Sequence, residues 1–245
     1  MLGTIPLKPS FTARYCEFSF GDKQIAVAYE KADKSEIQTY AIDRVLAKSI
    51  ASPPAIFMDG VTQVSWGALN KTLYASTLKG FINIISCENR GIDNKKKVHK
   101  DAILSFTFSK DKLFLFTCSR DENYCMVDPD TLEILNTYNF HSNISRSLAI
   151  SPLYKPDSKP VQRYHILVGG GQDEKEVTTT RKKGGFEIKL VNYITSEELA
   201  EIKGHFGPIH SLAFAPDGKS FASGSEDGFV RLHFFQSDYY SSKLE

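Results

Sequence analysis

The sequence predicts an all-β fold built from five similar antiparallel sheets. Three observations lead to this prediction: a stretch near the C-terminus recurs along the chain, apolar and polar residues alternate within each copy, and turn-forming residues separate the alternating runs. An apolar fraction of 41% in 245 residues is sufficient for a substantial core. Helical periodicity is nearly absent, and the best helical candidate, residues 196–203, occupies the place of an outer strand, so we interpret it as strand or turn.

The repeat is clearest in residues 204–236, where a Gly-His pair, Pro-Asp-Gly and Ser-Glu-Asp-Gly separate short apolar runs. When this stretch is shifted back along the chain, its alternating residues Leu212 and Phe214 align with Phe106 and Phe108 without a gap. The other copies place apolar residues in the same columns. The five copies start at Ala13, Val61, Ile103, Ser145 and Ile209. Two successive steps between these starts are equal, at about 42 residues each.

Each copy predicts one blade of a β-propeller, because three or four short strands in about 42 residues, repeated, are typical of that architecture. We predict a single domain over residues 1–245, with approximate blades at 10–48, 56–92, 99–138, 141–200 and 204–240. Residues 1–8 are expected to form an outer strand, or to close the ring by pairing residues 4–7 with residues 229–234. The longer steps between copies predict insertions in the regions 30–36, 155–163 and 173–185.

Two copies carry a histidine and an aspartate at the spacing of the WD repeat. His205 precedes Asp227 by 22 residues, and His99 precedes Asp121 by the same interval. In WD repeats such a histidine is hydrogen-bonded to an aspartate in a tight turn, so we predict both pairs as structural braces. His233 replaces the tryptophan of the Trp-Asp dipeptide in the last copy, and we expect the brace to be incomplete there. Catalysis or metal binding is disfavoured, because the spacing repeats with the fold and no third ligand accompanies it.

Three segments in the last third of the chain are more particular than a generic repeat. They read ILVGGGQDEKEVTTT (166–180), GGFEIKL (184–190) and KGHFGPIHSLAFAPDGKSFASGSEDGFVRLHFF (203–235). These segments closely resemble the i subunit of eukaryotic translation initiation factor three, whereas residues 1–165 resemble it only as divergent blades in the expected order. That family builds seven blades from a longer chain, so the resemblance implies that two N-terminal blades are missing here.

The resemblance implies a non-catalytic, cytoplasmic scaffold subunit of initiation factor three, which supports recruitment of mRNA and initiator tRNA to the small ribosomal subunit. It implies the b and g subunits as partners, contact with the small ribosomal subunit through the complex, no cofactor and no membrane. A partner segment is expected to lie across blade faces through apolar anchors and charge pairs. The candidate partner-binding residues are Gln172, Asp173, Glu176, Thr178, Thr179, Thr180, Arg181, His205 and Phe206. The alternative is a generic WD-repeat interaction platform in another cytoplasmic complex or signalling pathway.

Composition and motifs argue against several other classes. A net charge of +1 provides no broad basic surface, so the clusters at 95–97 and 181–183 are expected to be solvated and direct RNA contact to be minor at most. The glycine run 169–171 lacks the Lys-Ser/Thr of a phosphate loop and predicts a tight strand end. The four cysteines form no Cys-x-x-Cys pair, which favours ordinary thiols in a reducing compartment. No apolar run approaches the roughly 18 residues of a membrane helix, and the N-terminus lacks the pattern of a secretory signal.

Overall fold

Antiparallel strands account for nearly all the regular structure in the computed structural model. It describes residues 11–31, 34–43, 48–57, 59–140, 143–152, 164–172, 185–237 and 239. The strands form five sheets, each made from consecutive segments of the chain. The predicted all-β class is therefore confirmed, and the five sheets, here called repeats 1 to 5, correspond to the five copies found in the sequence.

Repeats 1 and 2 occupy the first part of the chain. The strands of repeat 1 are β1 (Thr12–Phe18), β2 (Gln24–Lys31), β3 (Lys34–Asp43), β4 (Lys48–Ala51) and β5 (Ala55–Phe57). Those of repeat 2 are β6 (Val61–Trp66), β7 (Thr72–Thr77), β8 (Phe81–Ser86) and β9 (Ile92–Lys97), with a 3-10 turn at Ala68–Asn70. Strand order follows the chain in both sheets, except that β5 pairs with β3.

Repeats 3 to 5 follow the same up-and-down order. Repeat 3 contains β10 (Ile103–Phe108), β11 (Leu115–Ser119), β12 (Tyr124–Val127) and β13 (Ile134–Tyr138). Repeat 4 contains β14 (Ser145–Ile150), β15 (His165–Gly170), β16 (Ile188–Asn192) and β17 (Glu197–Ile202). Repeat 5 contains β18 (Ile209–Phe214), β19 (Ser220–Ser225) and β20 (Val230–Phe234). In the part of the chain that the structure describes, repeat 5 therefore has three strands.

A β-bulge recurs near the start of the first strand of four repeats. Pairing slips by one residue at the same place in each copy. The slips lie between Ala13 and Tyr15, Val61 and Gln63, Ser145 and Ser147, and Ile209 and Ser211. Because a bulge re-aims the side chains around it, its recurrence shows that the repeat extends to backbone geometry, and it coincides with the copy starts found in the sequence.

Two sequence predictions can be compared directly with the strands. Residues 197–202 form the outer strand β17, so the interpretation of this segment as strand is confirmed. In the region 30–36, predicted as an insertion, β2 and β3 remain paired out to Lys31 and Lys34. Residues 32 and 33 lie outside the described residues. The predicted insertion 155–163, nearly all of 173–185 and the predicted closing strand 1–8 lie outside the described residues.

Contacts divide the chain into two compact units. One comprises Met1–Leu104 with Asp130–Glu133, and the other Ser105–Pro129 with Ile134–Glu245. The core of the former lies between repeats 1 and 2, where Ala26, Ala28 and Ile37 pack with Val64 and Trp66. Trp66 also donates its indole N–H to the Glu17 carbonyl at 3.0 Å, so the buried ring has its polar atom satisfied.

In the unit that contains repeats 4 and 5, repeat 4 packs on repeat 3 through one face and on repeat 5 through the other. These are called the leading and trailing faces, and the same names are used for the equivalent faces of repeat 5. The trailing face of repeat 4 packs against the leading face of repeat 5. The residues in this contact are Leu167, Ile188 and Leu190 from repeat 4, and Ile209, Leu212 and Phe221 from repeat 5. The leading face of repeat 4, with Leu148, Ile166 and Val168, packs on repeat 3. Strand alternation thus buries both faces of repeat 4.

Candidate partner-binding site

The fifth repeat contains a chain of four hydrogen-bonded polar side chains, in which His205 and Ser223 are buried and His233 is half-buried. His205 lies in the segment before β18, Ser223 in β19, Asp227 in the β19–β20 turn and His233 in β20. His205 Nδ1 is 2.9 Å from Asp227 Oδ2, and His205 Nε2 is 2.7 Å from Ser223 Oγ. Ser223 Oγ is in turn 3.0 Å from His233 Nε2. The sheet thereby joins the loop before its first strand to the turn before its last.

With neutral imidazoles, these contacts allow one consistent assignment of protons. An ionised aspartate only accepts hydrogen bonds, so His205 donates from Nδ1 to Asp227. His205 Nε2 then accepts the Ser223 hydroxyl proton, and the Ser223 oxygen accepts the Nε2 proton of His233. Every member of the chain therefore has a partner, which buried polar groups need.

His233 occupies the position of the missing tryptophan and continues the chain of hydrogen bonds. The expectation that the brace would be incomplete in the last copy is wrong, because an imidazole N–H at this position can donate to Ser223 as an indole N–H would. The His233 ring also stacks on Phe221, with ring centres 4.5 Å apart. The histidine thus combines the planar packing and the donor that this position requires.

The electrostatics of the chain favour an ionised Asp227 and a neutral His233. Burial opposes ionisation of Asp227, but hydrogen bonds from the Phe206 N–H, from His205 and from the Phe229 N–H outweigh it and hold the pKa of this carboxyl well below its usual range. Burial lowers the pKa of His233, and the neighbouring His205 and Arg231 lower it further.

The same network holds an exposed aromatic side chain at the rim of the sheet. The Phe206 N–H donates to Asp227 Oδ2 at 3.0 Å, while the Phe206 residue is 82% exposed. Ser225 Oγ donates to the Gly207 carbonyl at 2.9 Å, and the Glu226 N–H donates to the Pro208 carbonyl at 3.0 Å. A phenyl ring on a fixed backbone loses little conformational entropy when a partner covers it, which suits an anchor residue.

The segments that hold this loop also carry charged groups. The exposed pair His210 Nε2 and Glu226 Oε2 lies 3.1 Å apart. Arg231 donates from Nε to the Gly204 carbonyl at 3.1 Å, and its guanidinium lies 5.2 Å from the centre of the exposed Phe229 ring. The rim therefore combines aromatic surface with groups of both charges, as protein interfaces often do.

The remaining predicted site residues are less informative. Gln172 is only 8% exposed, so its side chain offers little surface to a partner. The predicted residues Asp173, Glu176, Thr178, Thr179, Thr180 and Arg181 lie outside the described part of the chain. In the other predicted brace, His99 is buried, and Asp121 accepts a hydrogen bond from the Asn123 N–H at 3.1 Å within its turn. These two residues belong to different units.

The glycine run at the end of β15 is required by packing. A Cβ on Gly169 would lie 3.1 Å from both Ile209 Cγ2 and Leu212 Cδ1, and one on Gly170 would overlap the Ile144 carbonyl. Gly171 has φ +142° and faces Phe186, a conformation that L side chains rarely adopt. The run therefore permits close approach of repeat 5, in agreement with its interpretation as a tight strand end.

Sequence reasoning missed Ser223 as the link between the two histidines. The signal was present, because the pairing registers place Ser223 and Thr117 at equivalent positions of repeats 5 and 3, the two copies with the histidine spacing. Both residues are buried and carry a hydroxyl group. When the copies are aligned, a hydroxyl residue at this position in both copies that carry the histidine would have predicted the link.

Other chemistry has little support in the described residues. They include no group of three or more His, Cys, Asp or Glu side chains arranged to hold a metal ion. All four cysteines are free, and burial raises the pKa of the Cys125 thiol to about 11, which disfavours the reactive thiolate. Among the helices in the described ranges, none is long and apolar enough to cross a membrane.

The basic cluster on β9 is partly neutralised. Lys95 Nζ lies 3.6 Å from Asp59 Oδ2 and 4.5 Å from the centre of the Phe81 ring. Lys79 pairs with the same carboxylate at 2.5 Å, and this contact is the main cause that lowers the pKa of Asp59. The other predicted basic cluster, 181–183, lies outside the described residues.

Comparison with known proteins identifies the repeat and a set of relatives. The family model described as WD domain, G-beta repeat matches residues 94–127 and 196–233, which contain the two His–Asp spacings. The chain is 36% identical over 255 residues to eukaryotic translation initiation factor 3 subunit I of Culex quinquefasciatus, with 100% of this chain and 74% of the relative covered. It is 35% identical over 253 residues to the subunit of the same name in Anopheles gambiae, with 100% and 74% covered. Identity to that of Dictyostelium discoideum is 34% over 236 residues, with 94% and 68% covered.

Proposed function

The chain belongs to the family of eukaryotic translation initiation factor 3 subunit I, and we propose that it is a non-catalytic scaffold subunit of the initiation factor 3 complex. In this role it acts in the cytoplasm and supports recruitment of mRNA and initiator tRNA to the small ribosomal subunit. Its direct partners are the b and g subunits of the complex, and it reaches the ribosomal subunit through them.

One observation carries this proposal: the similarity to these relatives extends over the whole chain. A generic WD platform would share the repeat spacing, but it would not be expected to keep about 35% identity to one named subunit along its full length. The hydrogen-bonded Asp–His–Ser–His chain supports a structural role for the histidines, because each imidazole hydrogen-bonds within repeat 5.

The binding surface proposed for the tail of the b subunit is centred on Phe206. This ring is exposed, while its backbone is fixed by Asp227. A helix or extended segment with an apolar anchor could cover the Phe206 and Phe229 rings, and Arg231 or Glu226 would pair with its charges. The acidic residues Asp173 and Glu176 extend this surface in the proposal, although they lie outside the described residues.

The test is binding of the full chain to the C-terminal tail of the b subunit from the same organism, measured by calorimetry. We expect Phe206→Ser to weaken binding at least about tenfold, since hot-spot aromatics contribute about 2 kcal/mol or more. The matched control is Phe20→Ser, which removes another exposed phenyl ring, 88% exposed, from repeat 1. Equal loss in both variants, or no loss in either, would exclude the Phe206 surface.

A second arm tests the acidic segment. Replacing Asp173 and Glu176 by Lys should weaken binding further and should reduce its dependence on salt, because rim charges act mainly through screened electrostatics. Unchanged binding would remove these two residues from the surface and leave the Phe206 part intact. If the folded chain does not bind the tail, the proposed contact with the b subunit is excluded, and the generic WD-repeat interaction platform is the remaining interpretation.

A further inference from the structure

The segment that follows β20 folds back onto repeat 4. Tyr239, in this segment, places its hydroxyl oxygen 3.0 Å from Nδ1 of His165, the buried first residue of β15. The Tyr239 ring stacks on Phe235, with ring centres 4.0 Å apart. Both rings pack against the apolar cluster between repeats 4 and 5, and all of these residues belong to one unit. Tyr239 therefore connects the segment after β20 to the interior of repeat 4.

A continuous series of side-chain contacts leads from Tyr239 to the hydrogen-bonded Asp–His–Ser–His chain of repeat 5. The Phe235 ring lies against the Phe221 ring, with ring centres 5.5 Å apart. Phe221 in turn stacks on His233 at 4.5 Å, and His233 is the last member of the hydrogen-bonded chain. The other end of that chain accepts the Phe206 N–H. The series thus joins Tyr239 to the loop that presents the exposed Phe206 ring.

The rings of this series border an unfilled cleft. The cleft has a volume of about 440 Å³, and Phe221, His233, Phe235 and Tyr239 line it together with Leu190 of repeat 4. A ring beside an unfilled space has no packing partner on that side, so its position depends more strongly on its other contacts. The stack of Tyr239 on Phe235 is one of these contacts, and through Phe235 it supports the Phe221 ring on which His233 lies.

We propose that Tyr239 is a positioning residue for the Phe206 surface, because its anchor on His165 holds the ring stack that keeps His233 in place for hydrogen bonding. This inference rests on the proposed role of the Phe206 surface in partner binding. Tyr239 acts on the loop through the imidazole of His233, which reaches Ser223 from its position on the Phe221 ring. A partner then meets a loop that already has its binding conformation, which reduces the entropy lost on association.

A purely structural role for Tyr239 makes a different prediction. If Tyr239 only packs repeats 4 and 5 together, its removal lowers the free energy of unfolding and affects the amides of both sheets alike. A positioning role predicts an additional local opening at the Phe206 loop. Native-state hydrogen exchange separates the two cases, because local opening and global unfolding expose different sets of amides.

The first experiment measures hydrogen exchange of the full chain by NMR, without any partner. Tyr239→Ala should accelerate exchange of the Phe206 amide by about tenfold, the effect of weakening its hydrogen bond to Asp227. Amides of β19 should change less. Tyr239→Phe keeps the stacked ring and removes the hydroxyl group that meets His165, so its exchange rate should lie between those of Tyr239→Ala and the wild type.

Tyr15→Ala is the matched control for this measurement. Tyr15 is also half-buried, its hydroxyl oxygen accepts a hydrogen bond from Gln63 at 3.3 Å, and it packs on an apolar cluster. It belongs to the other unit, so exchange of the Phe206 amide should be unchanged. Equal acceleration in Tyr15→Ala and Tyr239→Ala would overturn the proposal, as would acceleration in neither. If Tyr239→Ala does not fold, wild-type exchange in Tyr239→Phe would overturn it instead.

The second experiment connects the loop to binding, by calorimetry with the C-terminal tail of the b subunit. Tyr239→Ala should weaken tail binding by about threefold to tenfold, since the loop is no longer held in one conformation before association. It should add little to the loss in Phe206→Ser, because both changes act on one surface. Unchanged binding in Tyr239→Ala, or full additivity of the two changes, would overturn the proposal. A wild-type chain that does not bind the tail would exclude the contact with the b subunit, and the exchange rates would still decide the role of Tyr239.

Discussion

Repeats 4 and 5 share one strand register but stabilise the interior of their leading faces differently. Ser223 and His233 of repeat 5 stand where repeat 4 has Val168 and Val191. Repeat 4 fills these positions with aliphatic side chains packed on repeat 3. Repeat 5 instead fills them with hydrogen-bonded groups that connect to His205 and Asp227. The same backbone arrangement can therefore hold either apolar or hydrogen-bonded polar side chains at these two positions.

Apolar packing and hydrogen bonding differ in how far they define the conformation of the neighbouring loop. Apolar packing is non-directional and stabilises the sheet without defining the conformation of the adjoining loop. The polar chain of repeat 5 ends on Asp227, which also accepts the Phe206 N–H and so defines the loop that presents the exposed ring. The WD signature in this protein is thus better understood as a device that positions a rim loop than as a requirement for forming the blade.

The largest expected difference in stability is between substitutions on the trailing faces of repeat 4 and repeat 5. Ile188→Ala should lower the free energy of unfolding by about 2–5 kcal/mol, because it creates a cavity in a fully buried site. Val230→Ala, at the equivalent exposed position, should change it by less than about 0.5 kcal/mol. Urea unfolding at submicromolar concentration measures both. Similar losses in the two variants would contradict the assigned difference in burial.

A smaller effect on the free energy of unfolding is expected when residues are exchanged between the leading faces of repeats 4 and 5. Ser223→Val should cost about 1–3 kcal/mol, because it leaves His205 Nε2 and His233 Nε2 without their shared partner. Adding His233→Val to this variant should cost less than the sum of the single changes, since both act on one network. The reciprocal change, Val168→Ser, introduces a buried hydroxyl group in repeat 4 and should also destabilise. A stabilising Ser223→Val variant would show that the hydrogen bonds of repeat 5 contribute nothing.

Repeat spacing predicted the sheets well because it is encoded locally. Alternating apolar residues and turn residues placed the first strands, and four of the five copy starts coincide with the first residue of a strand, at Val61, Ile103, Ser145 and Ile209. The remaining start, Ala13, is one residue inside β1. Period-two burial needs no knowledge of distant contacts, which is why the sequence alone predicts it.

The candidate site was less predictable because its links join residues distant along the chain. Spacing indicated His205 and Asp227, yet the role of His233 was misjudged, since the only guide was the tryptophan expected there. That imidazole and indole rings can both donate from the same place becomes evident only when Ser223 is located between the rings. Exposure of Phe206 and burial of Gln172 likewise depend on how the loops pack, which residue type does not reveal.

The pH dependence of stability gives the smallest expected effect. Of the four residues compared, Val168, Val191, Ser223 and His233, the histidine is the titratable one. The folded-state pKa of His233 lies below the ordinary value of 6.5, so near that pH the unfolded chain binds more protons than the folded one. The stability that neutral His233 contributes is fully present above about pH 6.5 and is lost as pH falls through the lowered pKa. His233→Trp keeps an N–H donor for Ser223 and removes the titration, so we expect a smaller decrease of Tm from pH 8 to pH 5. The substitution also changes Tm by an amount that does not depend on pH, so the change of Tm with pH is what tests the lowered pKa of His233. An equal decrease of Tm in both proteins would show that His233 is not held neutral by its surroundings.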